Sequence, residues 1–135
     1  MNPIFPSPEW LNTLCEKLNR DKKYASIAAR WEGDMCVVIE PSGNVKETIY
    51  YYLDLWHGKC RRAAILENPE EEKPVFVLTA SYDNIAQIMK GKLDPMQAML
   101  TRKLKVQGNM AIMMRNVPTV LDFVRCAREV TDEIL

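Results

Sequence analysis

The sequence predicts a single α+β domain in which helices cover one face of a largely antiparallel sheet. The chain has 135 residues, a length that closes one hydrophobic core. Residues 34–80 contain short runs rich in apolar and β-branched side chains that project to two faces with a period of two, separated by turn-forming residues, whereas apolar residues recur at helical spacing in 1–32 and 81–135. Because the strands are grouped and do not alternate with helices, the α+β class is favoured. We expect residues 1–135 to form one domain.

Residues 1–32 predict a pair of helices that acts as a lid or brace. Ser7 is placed to cap the first helix, and Pro8 suits its first turn. Asp21 is placed to cap a second, shorter helix, which we expect to run to Trp31 before Gly33 ends the helical pattern.

Residues 34–80 predict four strands, over 34–40, 47–57, 60–67 and 75–80. Turn-forming residues separate the first three strands, at 41–44 and at 57–59. Short turns of this kind join antiparallel neighbours, so we expect these three strands to be antiparallel.

Residues 81–135 predict further helices and one more strand. Ser81 is placed to cap a helix that Gly91 ends, and Asp94 with Pro95 begins another. Residues 103–107 alternate like a short edge strand. A terminal helix is indicated by one apolar stripe, formed by Val117, Val120, Leu121, Val124, Ala127, Val130 and Ile134.

Composition and charge exclude several classes of protein. Hydrophobic residues make up 47% and charged residues 27%, which excludes low-complexity and largely disordered chains. The 18 basic and 18 acidic residues balance, so no globally basic surface indicates nucleic-acid binding. The longest apolar runs are far shorter than the roughly 20 residues that span a bilayer. The N-terminus lacks a signal-peptide pattern, so the expected location is the cytoplasm.

Side chains that carry chemistry are sparse. His57, the single histidine, lies in a predicted turn, and Asp54 would project from the opposite face of its strand, so His57 is interpreted as a solvent-facing residue. The four cysteines include no C-x-x-C pair and are interpreted as reduced structural thiols. The acidic run 70–72 is interpreted as a solvated loop. We therefore expect no enzyme activity, no metal site and no cofactor.

Methionine is concentrated in one part of the chain. Six of the eight methionines lie between residues 89 and 114, in segments predicted to cover the sheet. Methionine is flexible and polarisable, and it repacks around varied apolar shapes. The cluster is typical either of an ordinary core or of a deformable lining for an apolar ligand.

The same part of the chain is locally basic. Six cations, among them Lys92, Arg102 and Lys103, lie between residues 90 and 115, together with a single carboxylate, Asp94. One interpretation is a solvated surface. The alternatives are binding of a fatty-acid carboxylate, an acyl-CoA phosphate or an anionic bilayer.

Aromatic side chains mark one face of the second predicted strand. Tyr50, Tyr52 and Trp56 share this face, opposite the apolar face that carries Tyr51 and Leu53. If exposed, the aromatic face would be an association surface, such as that of a homodimer. The alternative is that the N-terminal helices pack over it.

Two spaced blocks resemble a known family. Residues 91–100 read GKLDPMQAML and residues 103–110 read KLKVQGNM. They resemble the signature of the sterol carrier protein 2 family, which runs G-K-L-(D/N)-P, a methionine-rich helix, and then G-K-L-K-(I/V)-x-G-(N/D)-M. The opening Pro8-Glu9-Trp10 and the stretch from Trp31 to Asp34 are similar to stand-alone prokaryotic members.

Two departures from the family pattern have consequences. Arg102 stands where members usually have glycine, so the helix end either avoids a left-handed residue or accepts a non-glycine one. The peroxisomal ending of the eukaryotic carriers is missing, so a sterol ligand is not assumed.

The resemblance implies a five-stranded mixed sheet with an apolar tunnel between sheet and helices. Such a tunnel binds sterols, fatty acids, acyl-CoA or phospholipids without transforming them. On this basis the expected ligand contacts are Ile88, Leu93, Met96, Met99, Leu100, Met110, Met113, Val120 and Val124. The head-group or anion candidates are Lys92, Arg102 and Lys103.

Two functional hypotheses follow. The leading one is a small carrier of an acyl-chain-like lipid that makes transient contact with membrane surfaces. The alternative is an accessory dimerisation or regulatory module whose tunnel is filled by its own side chains, with Tyr50, Tyr52 and Trp56 as the working surface.

Overall fold

The structure, a computed structural model, describes residues 2–135. Two helices come first, α1 (Pro8–Arg20) and α2 (Lys22–Ile27). Four strands follow: β1 (Met35–Glu40), β2 (Ile49–Trp56), β3 (Lys59–Leu66) and β4 (Phe76–Ser81). A short 3-10 helix, Pro69–Glu71, lies between β3 and β4. Each of the four predicted strands is therefore present, with bounds that differ by one or two residues.

The second half of the chain is mostly helical. It contains α3 (Tyr82–Met89), α4 (Pro95–Leu100), β5 (Lys105–Gln107), α5 (Met110–Arg115) and α6 (Val117–Glu129). The strands form one five-stranded sheet in the order β3-β2-β1-β4-β5. The pairs β1·β2, β2·β3 and β4·β5 are antiparallel, and β1·β4 is parallel. The fold is therefore α+β with a mixed sheet, as predicted, and β5 lies at an edge.

Side-chain caps begin the helices where the sequence predicts them. The side chains of Ser7, Asp21, Ser81 and Asp94 each accept a hydrogen bond from a backbone N–H in the first turn of the helix that follows. These bonds satisfy donors that have no partner within the helix.

Two predicted helix ends are wrong. The second helix ends at Ile27 and not at Trp31, because the chain turns and the Trp31 N–H donates to the Ala28 carbonyl at 2.9 Å. The terminal stripe does not continue to Ile134. After α6 the chain leaves the helix, and Ile134 forms a parallel bridge with Phe5 that joins the two ends of the chain.

The sheet has one covered face and one open face. All six helices contribute buried side chains to a core that includes the inward residues Met35, Tyr51 and Leu53. On the opposite face, which we call the outer face, a smaller apolar cluster contains Cys36, Val38, Tyr52 and Leu66.

The aromatic face of β2, for which the sequence left both exposure and burial open, is buried at its central residue. Tyr52 is buried in the outer-face cluster, its hydroxyl donates to Asp34 Oδ2 at 2.8 Å, and the Arg62 guanidinium lies 4.9 Å from its ring centre. Tyr50 is half-buried and Trp56 is exposed. The N-terminal helices cover the opposite face, so they do not hide this one. Dimerisation through the outer face stays a prediction.

Polar residues near the β2–β3 turn pair locally. His57 is exposed, as predicted, and its Nε2 lies 2.6 Å from Glu32 Oε2. Asp54 forms a bidentate pair with Arg61 and not with His57. The acidic run is more than a solvated loop, since Glu72 forms an ion pair with Arg62 at 2.6 Å.

Candidate ligand cavity

A cavity of about 110 Å³ lies between the covered face of the sheet and the helices. Its floor consists of inward-facing side chains from β1, β2 and β4, namely Met35, Val37, Ile39, Tyr51, Leu53, Leu55 and Leu78. The period-two alternation of these strands places all seven on one face. Val37 lies on the central strand yet is only half-buried, because its side chain faces the cavity.

The N-terminal segment forms one wall of the cavity with Phe5, Trp10, Leu14, Tyr24 and Trp31. Trp10 stacks on Tyr51 with ring centres 5.8 Å apart and meets Phe5 edge-on at 4.5 Å. These helices are therefore part of the cavity and more than a brace.

The late helices form the other walls. α3 contributes Ile85, Ile88 and Met89; α4 contributes Pro95 and Met99; α5 contributes Met113; and α6 contributes Thr119, Val120, Phe123, Val124 and Ala127. Leu104, just before β5, completes the lining. Gly108 holds φ +135°, and a Cβ there would lie 2.5 Å from Phe76 Cδ1, so the absence of a side chain lets the chain pass into α5.

The cavity wall is almost wholly apolar. None of its lining residues among 2–135 is acidic, basic or histidine. The polar atoms of three of its aromatic rings bond to the protein: Tyr51 donates to the Ser7 carbonyl at 2.7 Å, Trp31 Nε1 to the Gly33 carbonyl at 2.8 Å, and Trp10 Nε1 to Thr131 Oγ1 at 2.8 Å. Burial raises the pKa of both Tyr24 and Tyr51, so these hydroxyls stay neutral. The arrangement suits a hydrocarbon chain and offers no acid–base chemistry.

An ion-pair network fastens the N-terminal helices to α6. The Arg125 guanidinium donates to Asp122 Oδ1, Asp21 Oδ1 and Glu129 Oε2, each at 2.7 Å. Lys17 pairs with both Asp21 and Glu129. Hydrogen bonding to Arg125 is the main cause that lowers the pKa of Asp21, and hydrogen bonding to Lys17 is the main cause that lowers the pKa of Glu129.

The network contains one group of side chains of the kind that bind metals. Ligand atoms of Asp21, Asp122 and Cys126 lie within 4.8 Å of one another. Arg125 lies among them and donates to both carboxylates. The guanidinium therefore already supplies the positive charge that a bound cation would bring.

A second arginine joins α6 to α3 beside the cavity. Arg128 donates to the Ile88 carbonyl from Nε at 3.0 Å and from Nη2 at 2.8 Å. The cation lies at the carboxyl end of α3, where the helix dipole favours positive charge.

Comparison with known proteins identifies the family. The model of the SCP-2 sterol transfer family matches residues 11–120, most of the chain. The chain belongs to this family. Members of the family bind and transfer lipids. Comparison with curated protein sequences gives no match.

Solved structures support the SCP-2 assignment. A crystal structure of sterol carrier protein 2 is 29% identical, covers 93% of this chain and 98% of its own, and has a TM-score of 0.84. A conserved hypothetical protein from Thermus thermophilus, described as possibly a sterol carrier protein, is 28% identical, covers 97% and 92%, and has a TM-score of 0.83. Apo sterol carrier protein 2 from Yarrowia lipolytica, 20% identical over 87% and 88% with a TM-score of 0.57, shows the fold alone. None of the helices within residues 2–135 is long and apolar enough to cross a bilayer.

The predicted ligand contacts of this SCP-2 family member fall into two sets. The cavity brings together Ile88, Met99, Met113, Val120 and Val124. Four predicted contacts lie outside its lining. Leu93 and Met96 are partly buried against the core, whereas Leu100 and Met110 are exposed.

The head-group candidates all lie on the surface. Lys92, Arg102 and Lys103 are exposed, and each lies within three residues of a cavity residue along the chain. Arg102 has φ +61°, so the helix end accepts a non-glycine residue in the left-handed region.

The floor and the N-terminal wall of the cavity were not predicted from the sequence as ligand-facing. The signal for the floor was present, since the alternation of β1 and β2 assigns Val37 and Leu53 to one face. The contribution of Trp10 and Trp31 depends on where α1 and α2 dock, which the helical pattern alone does not specify.

Proposed function

We propose that this SCP-2 family member binds the hydrocarbon chain of a lipid in the cavity and carries it without chemical change. The observation that supports the proposal is a space between sheet and helices whose lining residues are almost all apolar, with the polar atoms of Tyr51, Trp31 and Trp10 bonded to protein groups. The lining offers no charged partner to a charged ligand group. Because burying such a group unpaired is costly, the cavity favours the apolar part of a ligand.

The size of the cavity limits what it holds without rearrangement. An apolar cavity of about 150 Å³ accommodates a benzene-sized molecule. The space of about 110 Å³ therefore fits a few carbon atoms. Micromolar affinity corresponds to about 8 kcal/mol, and each buried methylene supplies about 0.8 kcal/mol. Roughly ten methylenes are needed before ordering costs, so the cavity must enlarge to take a long chain.

Methionine side chains provide the means of enlargement. Met35, Met89, Met99 and Met113 all line the space, and each has an unbranched side chain that changes rotamer more freely than a branched one. Such a lining favours breadth over specificity. We infer a range of acyl-chain ligands whose head groups stay at the surface near Lys92, Arg102 and Lys103.

Cavity filling tests the proposal. Val37 and Val77 are half-buried valines on adjacent strands, with Val37 facing the cavity and Val77 packed on the outer face. Val37→Phe is expected to weaken binding of a fluorescent fatty acid by about tenfold or more, whereas Val77→Phe leaves affinity within about twofold. Equal affinity in the two variants and the wild type would contradict the proposal.

A second pair of variants covers the case in which Val37→Phe does not fold. Met113 faces the cavity, and the adjacent Met114 faces solvent. Met113→Gln places an amide in the apolar space and is expected to weaken binding, as is Met99→Gln, while Met114→Gln has no effect. Unchanged affinity in both Met99→Gln and Met113→Gln would count against an internal binding site.

A further inference from the structure

Helix α5 has one methionine inside the protein and two outside. Met113 is 1% exposed and lines the cavity. Met110 and Met114, one helical turn apart on the same six-residue helix, are 41% and 45% exposed. Leu121, in the next helix, is 40% exposed. One side of this short helix is therefore cavity wall, and the other is an apolar surface open to solvent.

The surrounding part of the chain is positively charged and electrostatically unpaired. Lys90, Lys92, Arg102, Lys103, Lys105 and Arg115 are all exposed. None of the six forms a salt bridge with any residue from 2 to 135. Exposed lysines elsewhere, such as Lys22, Lys46 and Lys59, also form no salt bridge with residues 2–135. What distinguishes residues 90–115 is the ratio of six cations to one carboxylate, in a chain whose formal net charge is zero.

We propose that the outer side of α5 docks on an anionic lipid bilayer. Met110 and Met114 would enter the boundary between head groups and acyl chains, where flexible apolar side chains are accommodated. Arg115, within the same helix, and Lys105, which precedes it, would meet lipid phosphates. Arg115 directly follows the exposed Met114 in α5, and a cation next to an exposed apolar side chain complements such a surface in both charge and polarity. This favours a bilayer as the occupant.

Docking through α5 would also affect ligand exchange. This consequence, unlike the docking, rests on the proposed function. The helix that touches the bilayer would be the one that carries Met113 in the cavity wall. An acyl chain then needs to pass only α5 to move between bilayer and cavity. The docking itself does not depend on this consequence and is testable without a ligand.

Vesicle sedimentation tests the docking. The probes are neutral vesicles of phosphatidylcholine alone and anionic vesicles in which phosphatidylglycerol makes up about 30% of the lipid. The wild type is expected to bind the anionic vesicles at least about fivefold more tightly than the neutral ones, and to lose this preference as salt rises from about 0.05 to 0.5 M. Met110→Asp/Met114→Asp is expected to weaken binding about tenfold. The control is Ile65→Asp, a residue at the β3 edge that is 46% exposed.

The outcomes separate docking from ligand binding. The proposal is overturned if the wild type does not bind anionic vesicles. It is also overturned if the double variant binds them as tightly as Ile65→Asp does. Sedimentation velocity showing that the double substitution converts a dimer to a monomer would assign the patch to a second copy of the chain, and this also overturns it. Fatty-acid binding without vesicles is expected to be unchanged in the double variant. Its absence in the wild type would refute the proposed function and leave the docking result standing.

Discussion

The Trp10 indole stacks on the Tyr51 ring, with centres 5.8 Å apart and planes inclined by 16°. Trp10 lies on α1 and Tyr51 on β2, so this contact joins the N-terminal helix to the cavity floor. Their polar atoms bond to Thr131 and Ser7, which are not part of the cavity lining. The N-terminal helix is thereby fixed as a wall.

Removal of this contact is expected to destabilise the fold. Trp10 is buried, and Trp10→Ala is expected to lower the free energy of unfolding by about 3–5 kcal/mol in urea denaturation. The matched control is Trp56→Ala, because Trp56 is exposed near the β2–β3 turn and its loss is expected to cost about 1 kcal/mol or less. Similar losses in the two variants would contradict the role of Trp10.

The Arg125 network predicts a dependence of stability on pH. The folded-state pKa values of Asp21 and Glu129 are lowered, so their contribution is complete above the usual carboxyl pKa and is lost as pH falls through the folded-state values. Arg125→Met is expected to cost about 2 kcal/mol at pH 7, and the difference from wild type is expected to shrink toward pH 2. Thermal unfolding of the variant and the wild type between pH 7 and about pH 2 measures this difference in stability. A cost that does not change with pH would refute the linkage.

Arg102 predicts a stabilising substitution. Its φ of +61° lies in the left-handed region, which glycine adopts without a Cβ clash. Arg102→Gly is expected to raise the free energy of unfolding by up to about 1 kcal/mol. Arg115→Gly, within α5, is expected to lower it by about 1 kcal/mol. A loss of stability in Arg102→Gly would show that the side chain makes a larger contribution than the backbone conformation costs.

The surface position of the head-group candidates predicts that charge matters only for anionic ligands. Reversing all three with Lys92→Glu, Arg102→Glu and Lys103→Glu is expected to weaken dodecanoate binding about five- to tenfold, because each exposed pair contributes modestly. Dodecanol binding is expected to stay within about twofold. Calorimetry compares the two ligands. A matched triple reversal of exposed lysines elsewhere, at Lys22, Lys46 and Lys59, is expected to change neither affinity. Equal effects on acid and alcohol would exclude these residues as head-group partners.

Most of the fold follows from local sequence signals. Ser7, Asp21, Ser81 and Asp94 begin helices at the predicted positions, because capping depends only on neighbouring residues. The separation of α5 from α6 had a local signal in Pro118, a residue typical of the first turn of a new helix. No local signal indicates where Ile134 lies, because its pairing with Phe5 is a long-range contact.

The candidate site was predictable in part. The family resemblance implies ligand contacts on the late helices, and Met99 and Met113 do line the cavity. Leu100 and Met110 do not line the cavity. Each lies on a short helix that presents some residues to the core and others to solvent, and the family pattern does not specify which side of the helix faces inward. The N-terminal wall depends on tertiary docking, which side-chain periodicity does not encode.

The most direct test of the account is an NMR measurement of where a bound chain lies. With methyl-labelled methionines and unlabelled dodecanoate, isotope-filtered NOEs report contacts between the ligand chain and individual methyl groups. Binding in the cavity predicts contacts to Met99 and Met113, which line it, and none to the exposed Met114. Saturable binding with contacts confined to Met114 or Met110, and none to Met99 or Met113, would contradict an internal site.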